Sequence, residues 1–303
     1  MKNILFDSEI FALQQFGGAS KYFSEIIREF IEHPELGISP NLTFKRTNNY
    51  YLKNLSSNLK SKLREQRPFY LAQTSPLRTL ITLGPIRQLM LNLSCGVDFS
   101  ERRGNLIHAT YYRPTLMERL GSSTKAVTIH DLIPERLGWS NVRNPHIGKR
   151  KFLDKADIIF CVSKATANDL EEFYGIKDER IKVVNHGVKS FAEWNEKFHI
   201  SNIVHNPKIL YVGHRSGYKN FEILAKALTI LQNRKLQFTL LTVGPKFLDA
   251  EIEKYKLRQL GENWQHFSGA DENLLNKLFF ESDIYVMTSK MEGFGMPILE
   301  ALS

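Results

Sequence analysis

Short apolar runs alternate with amphipathic segments along most of the chain. The N-terminal segment around "NILF" predicts a buried first strand, and "GGASKYFSEIIREFIEH" then repeats its apolar residues at helical spacing. The later runs "LIHAT", "KAVTIHD", "DIIFCVS" and "RIKVVNHGV" predict further strands, and Ser163 and Gly175 are placed to begin and end the helix "KATANDLEEFYG". Such alternation is typical of parallel α/β units, so a doubly wound, Rossmann-like sheet is predicted.

The alternation stops at the polar stretch "KSFAEWNEKFHISNIVHNP" and then begins again. After it, the strands "KILYVG", "LQFTLLTVG", "WQHFSG" and "DIYVMTS" alternate with the helices "NFEILAKALTILQNR", "LDAEIEKYKLRQLG" and "DENLLNKLFFES", and "PILEALS" starts another helix. The sequence therefore predicts two Rossmann-like domains, over residues 1–190 and 207–303, joined by a linker over residues 191–206. Ligands of parallel sheets bind beyond the carboxyl ends of the strands, so the residues that follow each strand are the candidates for chemistry.

Positive charge is concentrated in the first of these domains. Residues 1–190 carry 28 Lys and Arg against 19 Asp and Glu, whereas residues 191–303 carry 13 of each, so the net charge of +9 comes from the first group. Residues 45–95 hold nine basic side chains and one acid, and we interpret them as a basic helical insertion that Pro and Gly interrupt. Such a stretch fits an anionic membrane surface; the alternative is a solvated helical face. It has no nucleic-acid recognition motif, so nucleic acid is not an expected partner.

Composition narrows the expected compartment and cofactors. The chain of 303 residues has no apolar run near the roughly 18 residues of a membrane span, and it has acids where a signal peptide needs an unbroken apolar stretch. We therefore expect a cytoplasmic protein that is peripheral at most on the inner face of the cell membrane. Cys95 and Cys161 lie far apart, and neither a metal-ligand spacing nor an Asp-x-Asp motif occurs, so no metal or cofactor is predicted.

Two cations follow the strand "KILYVG". In the loop "HRSGYKN", Arg215 and Lys219 lie four residues apart around Gly217. Arg offers a planar fork of donors and Lys a point charge, and the two together suit a diphosphate. The alternative is an ordinary polar loop between a strand and a helix.

Two carboxylates and two glycines follow the strand "DIYVMTS". Gly293 and Gly295 would let the backbone approach a ligand closely, and Pro297 is predicted as the first residue of a helix whose free N–H groups favour an anion. Glu292 lies before this helix and Glu300 in its first turn, and carboxylates can accept hydrogen bonds from sugar hydroxyls. The alternative for Glu300 is an acid that only complements the helix dipole.

The first domain offers weaker signals. His130 ends the strand "KAVTIH", and Gly17 and Gly18 separate the first strand from the first long helix. A lone histidine is more often a structural residue, and "FGGAS" is not the G-x-G-x-x-G fingerprint of dinucleotide sites.

Taken together, these motifs resemble one known family. "EGFGMPILEALS" resembles the E-x7-E signature of the retaining GT-B glycosyltransferases of family 4, also described as glycosyl transferases group 1, and "GHRSGYKN" resembles their donor-phosphate loop G-x-R-x-x-x-K-N. "QQFGGASKYFSEI", "VTIHDLIP" and "CVSKATANDL" resemble elements of the family's N-terminal domain, and all matches run in the family's order. The resemblance implies a GT-B fold, in which two Rossmann-like domains face each other across a cleft, with the second domain incomplete at its C-terminus.

The resemblance also implies roles for individual residues. Those with an implied part in the reaction are His130, Arg215, Lys219 and Glu292. Those with an implied part in donor binding are Gly17, Gly18, Arg215, Lys219, Asn220, Gly293, Phe294, Gly295 and Glu300. In this scheme Arg215 and Lys219 neutralise the diphosphate as the glycosidic bond breaks, Glu300 holds the ribose, and His130 faces the transferred sugar.

The implied activity is metal-independent transfer of a hexose, with retention, from a nucleotide-diphospho-sugar to a glycan or lipid-linked acceptor. The expected setting is surface polysaccharide or lipopolysaccharide synthesis, and the expected donor is GDP-mannose, with UDP- and dTDP-sugars left open. Because family members continue well past the second glutamate, the alternative is a truncated, inactive remnant that binds a sugar nucleotide or a protein partner. A GT-B epimerase or phosphorylase would share the fold.

Overall fold

Two parallel sheets organise the chain, one in each of two units that span Met1–Asn185 and His186–Ser303. The structure is a computed structural model that describes residues 2–7, 9–42, 49–55, 64–65, 106–112, 123–139, 148–177, 179–187, 206–215 and 217–303. Every strand pair in these ranges is parallel, which confirms the predicted α/β class. The predicted linker over residues 191–206 lies almost wholly outside the described residues.

The first unit holds a seven-stranded sheet with the order β3-β2-β1-β4-β5-β6-β7. Its strands are β1 (Lys2–Phe6), β2 (Ile38–Leu42), β3 (Arg64–Glu65), β4 (Leu106–Ala109), β5 (Thr124–Ile129), β6 (Ile158–Cys161) and β7 (Ile181–Val183). Its described helices are α1 (Glu9–Leu13), α2 (Gly18–Glu32), α3 (Tyr50–Lys53), α4 (Ile133–Arg136), α5 (Lys149–Lys155) and α6 (Lys164–Tyr174), with a 3₁₀ turn at Pro34–Leu36.

The packing of this unit follows from its apolar spacing. Phe23, Ile27 and Ile31 recur every four residues of α2, so they share one face, and all three are buried against the sheet. The last four residues of β5 are all buried, as expected for a central strand that helices cover on both faces. The Ser163 hydroxyl accepts a hydrogen bond from the N–H of Thr166, and Gly175 ends α6 in the left-handed conformation, which confirms both predicted caps.

The second unit holds a four-stranded sheet with the order β10-β9-β8-β11. Its strands are β8 (Lys208–Val212), β9 (Thr239–Val243), β10 (Trp264–Phe267) and β11 (Ile284–Tyr285). Its described helices are α7 (Phe221–Asn233), α8 (Asp249–Lys254), α9 (Glu272–Glu281) and α10 (Met296–Leu302), with 3₁₀ segments at Gly217–Lys219 and Leu257–Asn263. In the described ladder β11 is an edge strand, and Ile284 on it is 46% exposed.

Alternate residues of β8 supply the two faces of this second sheet. Ile209 and Tyr211 belong to a core cluster with Phe221 of α7, whereas Leu210 packs with Leu278 of α9 on the opposite face. Helices therefore cover both faces, which is the doubly wound arrangement that the sequence predicts. In such a sheet β8 and β11 are parallel neighbours, so the loops that leave their carboxyl ends start from the same edge.

Several predicted elements differ from the observed ones. Strand β2 has no counterpart in the sequence analysis, because Pro40 lies within it and its run lacks β-branched periodicity. The helix predicted over "LDAEIEKYKLRQLG" ends at Lys254, since Lys256 takes a left-handed conformation (φ 55°) and a 3₁₀ segment follows. The predicted strand "DIYVMTS" pairs over only two residues.

The predicted basic insertion over residues 45–95 lies mostly outside the described residues. Within it, α3 is described, and the buried side chains of Leu52 and Leu55 join the core of the first unit. The start of this segment is therefore part of the folded unit, while its membrane contact stays a prediction. Among the helices of the described ranges, none combines the length and the apolar character that crossing a membrane requires.

Candidate functional site at the carboxyl ends of the second sheet

The loops that follow β8 and β11 are joined by three direct contacts. The Nζ of Lys219 lies 2.6 Å from Oε1 of Glu292. The hydroxyl of Thr288 donates to the carbonyl of Lys219 at 2.8 Å, and the N–H of Lys290 donates to the carbonyl of Tyr218 at 2.8 Å. Two motifs that are 73 residues apart in sequence thus form one junction at the carboxyl edge of the sheet.

The ion pair at this junction is accessible to a solute. The side chains of Lys219 and Glu292 are 22% and 20% exposed. Partly exposed pairs contribute little to stability, because water competes for both charges. The pair can therefore exchange partners: the ammonium can bind an anion and the carboxylate can accept hydrogen bonds from hydroxyls.

The last helix begins one residue earlier than predicted. Gly295 precedes α10 in the left-handed conformation (φ 88°), so Met296 is the first helical residue and Pro297 the second. Glu300 is then the fifth residue, which corrects its predicted place in the first turn, and a role in complementing the helix N-terminus is weakened accordingly.

The two glutamates of the signature lie around one phenol. Burial first, and then the nearby charges of Glu292, Tyr211 and Glu300, raise the pKa of Tyr285. Both carboxylates are therefore within electrostatic reach of Tyr285, and a ligand shared by Glu292 and Glu300 stays a prediction. Tyr285 is not among the predicted site residues, because it lies inside β11 and no loop motif includes it.

The glycine-bearing turn before α10 contacts the beginning of the second unit. Gly293 and Gly295 flank Phe294, whose ring packs edge-on against the imidazole of His186 with 5.0 Å between ring centroids. Burial lowers the pKa of His186 to about 4, so this imidazole is neutral near pH 7. The Phe294 side chain is thereby held by an aromatic contact within its own unit.

Arg215 has a different environment from the one that the sequence predicts. Its side chain is 6% exposed and pairs with Glu251, the third residue of α8. The Nε and Nη2 atoms donate to the two carboxylate oxygens at 3.1 and 3.0 Å, while Nη1 and Nη2 donate to the carbonyls of Pro245 and Lys246 at 2.6 and 3.1 Å. The geometry therefore does not favour the diphosphate contact predicted for this guanidinium.

Asn220 shapes the loop that carries Lys219. It takes the left-handed conformation (φ 54°), which asparagine tolerates better than most residues, and it directly precedes α7. Its N–H donates to the carbonyl of Gly217 at 3.2 Å, which closes the 3₁₀ turn that contains Lys219. Asn220 thus sets the backbone at the predicted site, and a direct ligand contact by its side chain stays a prediction.

His214 is an exposed residue of the loop that carries the two cations. Partial burial of its ring first, and then the charges of Arg215 and Lys219, lower the pKa of His214. The Tyr211 hydroxyl donates to the carbonyl of His214, and burial raises the pKa of this phenol. A neutral imidazole beside two cations is a suitable reporter of any anion that binds there.

In the first unit the structure brings His130 together with α2, which Gly17 precedes and Gly18 begins. The His130 ring lies edge-on to Tyr22 of α2, with 5.3 Å between centroids. A Cβ atom on Gly17 would lie 2.3 Å from the end of the Gln14 side chain, which can rotate away, and Gly18 has open space, so neither position requires glycine in this structure. The Gln14 amide also accepts a hydrogen bond from the N–H of Ser20 at 3.1 Å.

Two polar side chains at the strand ends of the first sheet, Asp7 and His108, have partners within the unit. Asp7, which follows β1, accepts hydrogen bonds from the N–H groups of Glu9 and Thr110 at 2.9 and 3.0 Å. His108 is buried and contacts the Thr128 hydroxyl at 2.9 Å, and burial lowers its pKa to about 3. These polar groups stabilise the strand ends of the first sheet.

Comparison with known proteins agrees with this architecture. The sequence profile described as "Glycosyltransferase Family 4" matches residues 16–190, and the one described as "Glycosyl transferases group 1" matches residues 193–303. The crystal structure of WaaG, a glycosyltransferase involved in lipopolysaccharide biosynthesis, has a TM-score of 0.62 at 13% identity, with 99% of this chain and 78% of that chain covered. At that identity the likeness shows the fold, which is GT-B.

Curated relatives match part of the chain. The serotype-specific mannosyltransferase WbdA of Escherichia coli is 27% identical over 195 residues, which cover 57% of this chain and 23% of the relative. The O-antigen biosynthesis glycosyltransferase WbnH of Escherichia coli is 32% identical over 146 residues, which cover 48% of this chain and 38% of the relative. The chain thus spans well under half the length of either. The profile described as "Glycosyltransferase Family 4" covers more than half of the chain, so the chain belongs to this family.

Proposed function

We propose that this chain transfers a hexose from a nucleotide-diphospho-sugar to a glycan or lipid-linked acceptor during assembly of lipopolysaccharide or O-antigen. The main support for this proposal is the contact between Lys219 and Glu292. The contact is partly exposed and lies at the carboxyl edge of a doubly wound sheet, where ligands of such sheets bind. The ammonium there can bind a phosphate, and the carboxylates can accept hydrogen bonds from sugar hydroxyls. The names of the relatives supply the biosynthetic setting.

In the proposed reaction the bond between the anomeric carbon and the diphosphate breaks, and that carbon bonds to a hydroxyl oxygen of the acceptor. Negative charge grows on the leaving nucleoside diphosphate, which takes up the proton of the acceptor hydroxyl. In this proposal the Lys219 ammonium neutralises that charge, and a cation that is positioned beforehand lowers the barrier. The hydrogen bond from Thr288 to the Lys219 carbonyl supports such positioning. Glu292 and the backbone N–H groups of the Gly293–Gly295 turn orient the hexose, and Glu300 holds the ribose. The proposed outcome is retention of the anomeric configuration without a metal ion.

GDP-mannose is the proposed donor, because mannosyltransferases are among the curated relatives. A thermal-shift series with GDP, UDP and dTDP tests the site and names the base, since a ligand that binds only the folded protein raises its melting temperature. The stabilising nucleotide should lose its effect in Lys219→Met. The matched control is Lys226→Met, which removes a lysine from a surface pair with Glu222 (3.0 Å) on α7.

Transfer is then measured with the corresponding sugar nucleotide, with and without EDTA, and the anomer of the product is determined by NMR. Nucleotide binding without any transfer or donor hydrolysis would identify a sugar-nucleotide-binding protein instead. Stabilisation that survives equally in Lys219→Met would place the nucleotide elsewhere and contradict the proposed site. Loss of activity in EDTA would contradict the metal-independent reaction.

A further inference from the structure

Four hydrogen bonds of Arg215 are made to groups of its own unit. A guanidinium has five N–H donors, so at most one remains for a ligand. The bidentate grip that makes arginine effective on phosphates requires two neighbouring donors at once. In this structure those donors face Glu251 and the carbonyls that precede α8.

The flat face of the same guanidinium is also covered. Its Cζ lies 3.8 Å from the centroid of the Phe247 ring. Phe247 is buried and packs edge-on against Phe221 and Trp264 in the core of the second unit. Arg215 thus links the loop after β8 to the loop after β9 by stacking as well as by hydrogen bonds.

The contact with Glu251 is itself part of a larger arrangement. One oxygen of Glu251 also accepts the N–H of Leu248 at 2.9 Å, which fixes the start of α8. The guanidinium holds the pKa of Glu251 below its usual range, so the carboxylate stays charged at neutral pH. Replacement of Arg215 would leave the Glu251 carboxylate without its cation, and replacement of Glu251 would leave two buried donors of Arg215 unpaired.

The backbone of Arg215 reaches the turn that carries Lys219. Its carbonyl accepts the N–H of Phe221, the first residue of α7, so the turn at Gly217–Lys219 lies between two points that Arg215 fixes. Displacement of Arg215 would therefore move the backbone from which the Lys219 side chain extends.

We infer that Arg215 is a positioning residue, which clamps the loop after β9 to the loop after β8 and so places Lys219, while the phosphate contact belongs to Lys219. The nature of the ligand rests on the proposed function; the clamp itself does not. The division of roles within this loop explains why one cation of the motif is 6% exposed and the other 22% exposed.

The test uses the full chain with Arg215→Lys, Glu251→Gln and the double variant. The matched control cycle is Arg258→Lys with Glu253→Gln, a surface pair of the same unit with 2.6 Å between Nε and Oε1. Urea unfolding should show that each clamp variant loses stability and that the double variant loses much less than the sum, because the partners are coupled. The control pair should show additive, small losses.

Ligand binding separates positioning from direct contact. The probes are the nucleoside diphosphate that stabilises the protein most among GDP, UDP and dTDP, and its parent nucleoside. The measured quantity is the ratio of the affinity for the nucleoside diphosphate to the affinity for the nucleoside. If Lys219 makes the phosphate contact, Lys219→Met should lower this ratio by about tenfold or more, whereas Arg215→Lys should change it by about twofold at most. With temperature set so that each variant is folded, Arg215→Lys and Glu251→Gln should both lower kcat by about tenfold, since displaced groups lose much of their catalytic effect.

Three results would overturn the inference. The first is a diphosphate-specific loss in Arg215→Lys with unchanged or tighter binding in Glu251→Gln, since a guanidinium released from Glu251 would then be binding the phosphate. The second is an Arg215–Glu251 coupling no larger than that of Arg258–Glu253. The third is unchanged kcat in both folded clamp variants, which would reduce the pair to stability alone. If no nucleotide binds the unaltered chain, the proposed function fails, and the unfolding cycle still decides whether the clamp exists.

Discussion

Each unit of the chain contains a lysine that pairs with a glutamate, and the two pairs differ in burial. In the first unit Lys149 is fully buried; its Nζ lies 2.9 Å from Glu135 and donates to the carbonyl of Asp131 at 2.9 Å. Burial lowers the pKa of Lys149 despite the opposing effect of Glu135. In the second unit Lys219 and Glu292 pair at 2.6 Å with about a fifth of each side chain exposed. The buried Lys149–Glu135 pair is thus part of the packing of the first unit, whereas the Lys219–Glu292 pair is accessible to a ligand.

Replacement of Lys219 should have the largest effect on activity. Lys219→Met should reduce kcat for sugar transfer by about 10²–10³-fold, the usual cost of removing one donor that stabilises developing negative charge. Its melting temperature should change little, because a partly exposed pair adds little stability. Steady-state kinetics and thermal unfolding of the same preparation measure both, and Lys226→Met serves as control. Full activity in Lys219→Met would contradict a functional role for the Lys219–Glu292 pair.

Replacement of Lys149 should act on folding instead. Lys149→Met leaves Glu135 without its cation in a largely buried site, and removal of one partner of such a pair costs about 3–5 kcal/mol. Tyr174 still donates to Glu135 at 2.7 Å, which favours the lower end of that range. Urea unfolding measures the loss, and kcat per folded molecule should stay near that of the unaltered chain. A variant that is fully stable but inactive would contradict the structural role of Lys149.

The hydroxyl of Thr288 offers a sharper test of the Lys219 junction. Thr288→Val keeps the shape of the side chain but removes the donor to the Lys219 carbonyl, so we expect kcat to fall by about tenfold, equivalent to about 1.4 kcal/mol. Thr288→Ser should restore most of the rate. Thr229→Val is the matched control, since Thr229 donates to the carbonyl of Ala225 at 3.0 Å within α7. Equal effects of the two valine variants would contradict a positioning role for Thr288.

Thr288 also illustrates what sequence patterns can and cannot predict here. The strands β8 and β9, the caps Ser163 and Gly175, and the motif residues Lys219 and Glu292 follow from local signals such as apolar runs and glycine turns. The proximity of Lys219 and Glu292 also follows from the sequence, because loops at the carboxyl ends of parallel strands share one edge of the sheet. No local pattern distinguishes Thr288 from any other threonine after a strand, since its role depends on a carbonyl 69 residues away.

The contacts of Arg215 could not be predicted from the sequence for a related reason. A loop arginine next to a glycine has the same local pattern whether it binds a phosphate or an internal carboxylate. Only the tertiary structure shows that Glu251 and Phe247 surround the guanidinium. The strand β2 was missed because Pro40 argues against a ladder. The structure nevertheless pairs Pro40 with Ile4 of β1.

The smallest expected effect concerns the protonation of His214. Arg215 and Lys219 add to burial in lowering the pKa of His214, since nearby positive charges disfavour an imidazolium. A bound diphosphate would add negative charge near His214, so the pKa of His214 should rise by about half a pH unit or more on addition of the stabilising nucleoside diphosphate. NMR titration of the histidine ring protons, assigned with His214→Gln, measures this rise, and exposed His33 of the first unit is the internal control.

This change also has to appear in the affinity, because linkage is reciprocal. If the nucleotide raises the pKa of His214 by half a pH unit, protonation of His214 must tighten nucleotide binding by about threefold. Affinity should therefore rise as pH falls through the titration range of His214, and His214→Gln should remove that dependence. Suppose instead that the pKa of His214 does not move while the nucleotide binds. The anion would then lie away from Lys219, and the two lysine–glutamate pairs would both have to be regarded as structural.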